Sequence, residues 1–291
     1  MARTFFQSSA LAFGLALTCM PAARAAEVGI GPSFKGPVGL QLYSLRAEFI
    51  RNVPAALDKV ERYGIRPVEL AGTYNLSAKK FRELLDAHHF DPISGHWPFE
   101  RLRDDLPKVI EEAKTLGVRY VGCAWIPHDG DFKETDCRKA IEVFSKAGAE
   151  LAKSGIKFFY HAHGYEFQPH DKGTLLDLLM EQTKPEHVAF QMDVLWVVFP
   201  GQDPVKLLRK YGKRWELMHL KDLKKGVKTG ELTGKTDVSN DVTLGTGQMN
   251  WPVILKEAAR QGVKYYFIED ESPTAAEQIP NSLKFLEQVR F

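Results

Sequence analysis

The chain reads as a single (β/α)8 TIM barrel, and three observations carry that expectation. The first is a recurring phrase. Tyr63-Gly64-Ile65-Arg66-Pro67-Val68-Glu69, Leu116-Gly117-Val118-Arg119-Tyr120-Val121, Ser154-Gly155-Ile156-Lys157-Phe158-Phe159 and Gln261-Gly262-Val263-Lys264-Tyr265-Tyr266 share one grammar: a helix end, a glycine, then a β-rich apolar run. Glycine enters the left-handed conformation that closes a helix without steric penalty, so each phrase marks a helix-to-strand joint. The second is a count of eight strands separated mostly by helical patterns, which implies a parallel sheet. The third is length, since 291 residues suit one barrel. A doubly wound open sheet is the alternative, but Gly-x-Gly-x-x-Gly is missing after the first strand.

The elements follow in order. A strand is expected at Val38–Tyr43, then a helix at Val53–Tyr63 with apolar residues at helical spacing. Strand two is Pro67–Leu70, and Ser77 caps a helix over Lys79–His88. Pro92–His96, helix Pro107–Leu116, Tyr120–Trp125 and helix Asp136–Ser154 continue the alternation. Lys157–His161, helix Leu175–Thr183 and Val188–Asp193 come next. Asp203-Pro204 reads as N-cap and first-turn proline of a helix ending at Tyr211. Trp215–Leu220, helix Trp251–Gln261, Tyr265–Glu269 and helix Ala275–Gln288 complete the set. The connection from Leu220 to Trp251 is long, polar and glycine-bearing; on a barrel such a βα loop lies over the active face, and it is expected to cover a substrate.

Residues 1–25 stand apart. Arg3, the apolar stretch Ala10–Thr18 and Ala23-Arg24-Ala25 have the order of a secretory signal, leaving a barrel domain over 26–291 in a periplasmic or secreted protein. The apolar stretch is too short for a membrane span, so no membrane association is expected after signal removal. Arg3 and Arg24 account for the excess of 39 Lys+Arg over 37 Asp+Glu, which makes the remainder formally neutral. Without a basic cluster a nucleic-acid partner is disfavoured. Cys123 falls in a strand and Cys137 in a helix, and free thiols are expected despite export.

Four apolar runs end on metal-binding side chains: Phe158-Phe159-Tyr160-His161-Ala162-His163, Val188-Ala189-Phe190-Gln191-Met192-Asp193, Leu217-Met218-His219 and Tyr265-Tyr266-Phe267-Ile268-Glu269. Buried imidazoles and carboxylates are costly unless paired or bound, so four on successive strands point to one shared centre. Such donors suit Mn²⁺, Co²⁺ or Zn²⁺ better than Ca²⁺.

The order of several motifs resembles the xylose-isomerase-like barrel superfamily, in particular its sugar phosphate isomerase/epimerase group. They are Gly39-Leu40-Gln41-Leu42-Tyr43-Ser44-Leu45-Arg46, Val68-Glu69-Leu70-Ala71-Gly72, Tyr160-His161-Ala162-His163 with Glu166-Phe167, Met192-Asp193-Val194-Leu195-Trp196, His219-Leu220-Lys221-Asp222 and Leu244-Gly245-Thr246-Gly247. The resemblance implies one divalent ion, Mn²⁺ first and then Co²⁺, Zn²⁺ or Mg²⁺, held by His161, Asp193, His219 and Glu269. It also exposes a departure. The strand-five ligand of ketose epimerases is a proton-moving Glu, and here the position is His161, which puts a symmetric two-glutamate mechanism in doubt. An endonuclease branch has extra histidines where this chain has Trp196 and Lys221, which disfavours phosphodiester chemistry.

Beyond the ligands, Glu269 and Glu69 are candidate bases, with a charged rim residue the plainer reading of Glu69. His163 is a candidate proton carrier or a partner fixing a ligand. His96 is placed to hold a hydroxyl or protonate a leaving group, and Lys221 to stabilise negative charge. Glu166 is read as an orienting group or a surface salt bridge. Trp97, Trp125 and Trp196 are read as core or as platforms for a sugar face. The expected reaction is isomerisation or epimerisation of a non-phosphorylated sugar through an enediolate. A β-eliminating lyase or hydrolase of keto-glycosides is the close alternative, and a non-catalytic exported sugar-binding barrel the third.

Overall fold

The computed structural model describes Met1 and residues 28–291, so the expected signal over residues 1–25 lies outside the described residues. Eight parallel strands close into a barrel, each hydrogen-bonded to its neighbours in sequence. They are β1 (Val38–Gln41), β2 (Pro67–Leu70), β3 (Asp91–His96), β4 (Tyr120–Cys123), β5 (Lys157–His161), β6 (Val188–Asp193), β7 (Trp215–Leu220) and β8 (Tyr265–Ile268), with β1 paired to β8 to close the ring. The expected strand positions hold, but β1, β4 and β8 stop earlier than predicted. After Gln41 the chain turns at once into a 3-10 helix over Leu42–Leu45, its side-chain oxygen accepting from Tyr43 N at 3.1 Å.

Eight main helices surround the sheet: α1 (Val53–Arg62), α2 (Ala78–Ala87), α3 (Leu106–Leu116), α4 (Glu134–Ala152), α5 (Leu175–Gln182), α6 (Pro204–Tyr211), α7 (Trp251–Gln261) and α8 (Ala275–Gln288). Ser77 caps α2 through Lys80 N at 3.2 Å, and Asp203 caps α6 through Val205 N at 2.8 Å, as predicted. Gly117 and Gly262 close α3 and α7 with φ of 74° and 85°, the conformation the recurring phrase anticipated. Short helices over Arg46–Arg51, Phe99–Asp104 and Val194–Val198 were not foreseen. Each is six residues or fewer, too brief to show a helical period in sequence.

Two apolar layers result. The larger lies between sheet and helices. The smaller plugs the barrel lumen with Ile93, Tyr120, Phe159, Ala189, Leu217 and Phe267. Phe159 fills the space at Gly122, where an added Cβ would lie 2.2 Å from its ring. Among the described residues no helix is long and apolar enough to cross a membrane. Cys123 and Cys137 are buried free thiols, as expected.

Candidate metal centre and active site

Residues two apart on a strand face the same way. Above the lumen plug this rule stacks the chemistry: Phe159 and His161 on β5, with His163 just past it; Ala189, Gln191 and Asp193 on β6; Leu217 and His219 on β7, with Lys221 just past it; and Phe267 on β8, with Glu269 and Glu271 just past it. A layer of apolar side chains therefore supports a layer of polar ones at the C-terminal mouth, the catalytic face of this architecture.

His219 is the pivot. Its Nδ1 lies 3.2 Å from Glu269 Oε2 and 3.7 Å from Asp193 Oδ2. Ligand atoms of Asp193, His219 and Glu269 fall within 4.8 Å of one another, and all three residues are buried. A second such group joins His219 to His96 and His161. Three of the four expected ligands thus converge directly, and His161 flanks them with its ring centroid 4.6 Å from that of His219. Gln191 Nε2 donates to Glu69 Oε2 at 2.9 Å, which turns its oxygen toward His161 Nδ1, also at 2.9 Å. That contact makes Nδ1 the donor and leaves the lone pair on Nε2.

Asp193 is held by one oxygen and open at the other. Its Oδ1 accepts from Leu195 N at 2.8 Å and Trp196 N at 3.2 Å, capping the short helix after β6. Its Oδ2 is buried with no hydrogen-bond partner. A buried carboxylate oxygen without a donor calls for a cation. The mixed imidazole and carboxylate donors fit a divalent first-row ion, which Asp193, His219 and Glu269 could hold with His161 adjacent.

Glu69 departs most from expectation. It is no rim residue: it is fully buried and reaches across the lumen. Its Oε1 accepts from Gln41 Nε2 at 2.7 Å and faces His219 Nε2 at 2.5 Å; its Oε2 accepts from Ser94 Oγ at 2.5 Å and from Gln191. The register of β2 against β3 slips between Val68 and Glu69, and this irregularity sets Glu69 opposite Ser94. Burial raises its carboxyl, but His96 and His219 outweigh that and hold it well below the usual range. With its acceptor positions filled, Glu69 orients His219 from below.

His163 and Lys221 face the cleft above. The His163 ring stacks on Trp196 with centroids 4.6 Å apart, and its Nδ1 is buried without a partner. Burial, then the nearby Lys221 charge, pushes this imidazole down to about 3, so it stays neutral. Glu166 accepts from His163 N at 2.9 Å and from the Tyr160 hydroxyl, fully buried. This corrects the surface salt-bridge reading of Glu166; it orients the His163 turn. Lys221 Nζ lies 2.5 Å from Glu271 Oε1, 3.4 Å from Glu269 Oε2 and 3.6 Å from Asp241 Oδ2. Burial opposes its charge, but Glu269, Asp241 and Glu271 keep it protonated. His96 Nε2 sits 3.1 Å from Glu69 Oε1, out of line for a hydrogen bond.

A cleft of about 760 Å³ opens over this centre, lined by His96, His161, His163, Lys221 and Glu269. Trp97, Trp125 and Trp196 also reach it. One wall is the long connection after β7, through Gly234, Lys235 and Thr236. Its base is fastened by Asp222, whose carboxylate accepts from Gly245 N at 2.9 Å, Gly247 N at 3.1 Å and Trp251 Nε1 at 2.9 Å. Gln41, Ser94, Gln191, Asp241 and Glu271 were not singled out by the sequence as site residues. Gln191 and Glu271 were discoverable, each two residues from an expected ligand on the same strand face.

A family model described as xylose isomerase-like TIM barrel matches residues 57–289. The chain belongs to that family. It is 25% identical over 251 residues to the rhizopine catabolism protein MocC of Rhizobium meliloti, covering 77% of this chain and 74% of that one. It is also 25% identical to an inosose dehydratase of Clostridium botulinum, covering 81% and 88%. Against the inosose dehydratase of Bacillus cereus (strain AH820), 27% identical, the match spans about half of each chain, 53%. Among solved structures, a sugar phosphate isomerase/epimerase from Parabacteroides distasonis superposes with a TM-score of 0.73 at 25% identity, covering 92% of this chain and 98% of that one.

Proposed function

We propose that the protein is an exported, divalent-metal-dependent enzyme that removes the proton beside the carbonyl of a neutral keto-sugar and expels the β-oxygen substituent. The observation that carries this reading is the open Asp193 Oδ2 together with two uncommitted imidazoles, His163 and His96, lining the same cleft. Asp193, His219, Glu269 and His161 would hold the ion, Mn²⁺ first, which would supply Lewis acidity for the carbonyl and so a more acidic neighbouring carbon. His163 Nδ1 takes the carbon-bound proton, the negative charge that builds on the substrate offsetting the burial and the Lys221 charge that keep this imidazole neutral at rest. His96 protonates the departing oxygen. With the acceptors of Glu69 filled and His161 at the strand-five position, a symmetric two-glutamate epimerisation lacks its pair of bases, and the similarity to inosose dehydratases supports elimination. Neutrality of the substrate is supported by Lys221, whose ammonium is already matched by three carboxylates. The leader-like residues 1–25 support export, away from phosphorylated intermediates.

Isomerisation or epimerisation is the second reading, favoured by the Parabacteroides distasonis structure. Metal-stripped protein reloaded with Mn²⁺ in D₂O, given methyl 3-keto-β-D-glucopyranoside and D-fructose and followed by NMR, separates the two. Released methanol with an enone supports elimination; deuterium uptake or a new ketose or aldose without release supports the second reading. Neither change with any divalent ion would leave a sugar-binding barrel without turnover.

A further inference from the structure

Among the described residues after Met1, five large apolar side chains are strongly exposed: Tyr43 (42%), Ile50, Trp125 (36%), Val238 (38%) and Val253. Three of the five, Tyr43, Trp125 and Val238, line the one cleft that holds the polar centre. Exposed apolar groups gathered at a polar site mark a ligand contact rather than chance. From this juxtaposition we infer that the mouth of the cleft is a subsite for a flat apolar group carried by the sugar, an aryl aglycone, with Trp125 as its platform. The inference deepens the proposed elimination by naming its leaving group.

Trp125 is built for the task. His128 stacks on it at 5.0 Å and 22°, while Tyr165 and His163 abut the indole at 4.8 Å and 5.4 Å, both near perpendicular. His128 is itself fixed by Ile126 O at 2.7 Å, and the Tyr165 hydroxyl accepts from Ile126 N at 2.8 Å. The ring is thus held in place before any ligand arrives, with its remaining surface open to the cleft. The contact with His163 sets the platform beside the proposed proton carrier. Val238 joins the cleft lining from a turn that Asp237 fixes through Ser239 N at 2.8 Å. Tyr43 is backed by the Arg46 guanidinium, 4.4 Å above its ring. At about 760 Å³ the cleft is of a size that holds drug-sized ligands rather than a lone sugar ring. In the step this implies, the C–H bond beside the carbonyl and the C–O bond to the aglycone break. A carbon–carbon double bond forms, the keto-sugar leaves as an enone, and the aglycone leaves as a phenol carrying the proton.

Calorimetry with 4-nitrophenyl β-D-glucopyranoside and methyl β-D-glucopyranoside tests the subsite without turnover. Wild-type protein should bind the aryl glucoside about tenfold more tightly, the effect of burying one ring face against an aromatic. Trp125→Ala should bring the affinity ratio toward one, Trp125→Phe should restore most of it, and Val238→Asp, on an exposed turn, should reduce it. Equal affinities in wild-type protein, a ratio unchanged in Trp125→Ala, or no binding of either glucoside would overturn the subsite. Aryl preference without conversion of any keto-sugar would strike the reaction and spare the subsite; conversion without aryl preference would do the reverse.

Discussion

The two ends of this barrel treat buried charge in opposite ways. At the N-terminal end Glu216 is almost fully buried and fully answered: Lys157 Nζ at 2.5 Å, Lys264 Nζ at 2.7 Å and the Tyr120 hydroxyl at 2.8 Å. At the C-terminal end Asp193, Glu69 and Glu269 crowd around one imidazole, and Asp193 Oδ2 and His163 Nδ1 have no partner. Satisfied charge at one end holds the fold together; unsatisfied charge at the other stays available for a ligand. The same chain spends its pairing where nothing must bind.

The contrast is breakable by measurement. Asp193→Asn should carry the largest effect, lowering divalent-ion affinity more than about a hundredfold, since even outer partners of metal ligands matter tenfold or more. Thermal unfolding of the metal-free variant should be unchanged or higher, because one of three mutually repelling carboxylates is gone. A large loss of stability with metal affinity intact would erase the distinction between the ends.

Glu216→Gln should do the opposite: stability falls by about 2 kcal/mol in urea unfolding, while metal affinity stays within experimental error. Acid sharpens this prediction. Burial raises the Glu216 carboxyl, but Lys157, Lys264 and Tyr120 hold it below its ordinary 4.5. A depressed carboxyl contributes stability that is present above pH 4.5 and is lost as pH falls through the lower folded value. Wild-type protein should therefore lose stability more steeply than Glu216→Gln on titration below pH 4.5, and parallel curves would refute the assignment. The smallest effect belongs to Asp91→Asn. Its 2.9 Å bridge to Arg119 is about half exposed on both sides, so water screens it and the unfolding free energy in urea should change by less than about 0.5 kcal/mol.

The barrel was legible because its signals are local. A glycine after a helix and an apolar run after the glycine lie within six residues at four joints, and the remaining strands follow from counting apolar runs between helical patterns. Asp193, His219 and Glu269 were legible for a related reason: each sits at or beside a strand's C-terminal end, where topology alone brings residues together. Glu69 was not, because its role depends on reaching His219 and Gln191 across the lumen and on a register slip beside Val68, neither of which leaves a trace in sequence. Glu166 was misjudged in part for want of knowing that its turn folds inward onto Tyr160. Of the four side chains expected at one centre, Asp193, His219 and Glu269 lie together and His161 lies beside His219.

The two-residue stacking on β5 to β8 restricts how this protein can change over generations. Deleting one residue between Phe159 and His161, or between Leu217 and His219, would swing an imidazole out among the greasy helix contacts and drop an aliphatic group into the mouth. Length along those strands is therefore closed to variation. The stretch beyond Asp222, fastened at its root and bordering the cleft, can grow or shrink without disturbing that parity, so new substrate preferences would be written there.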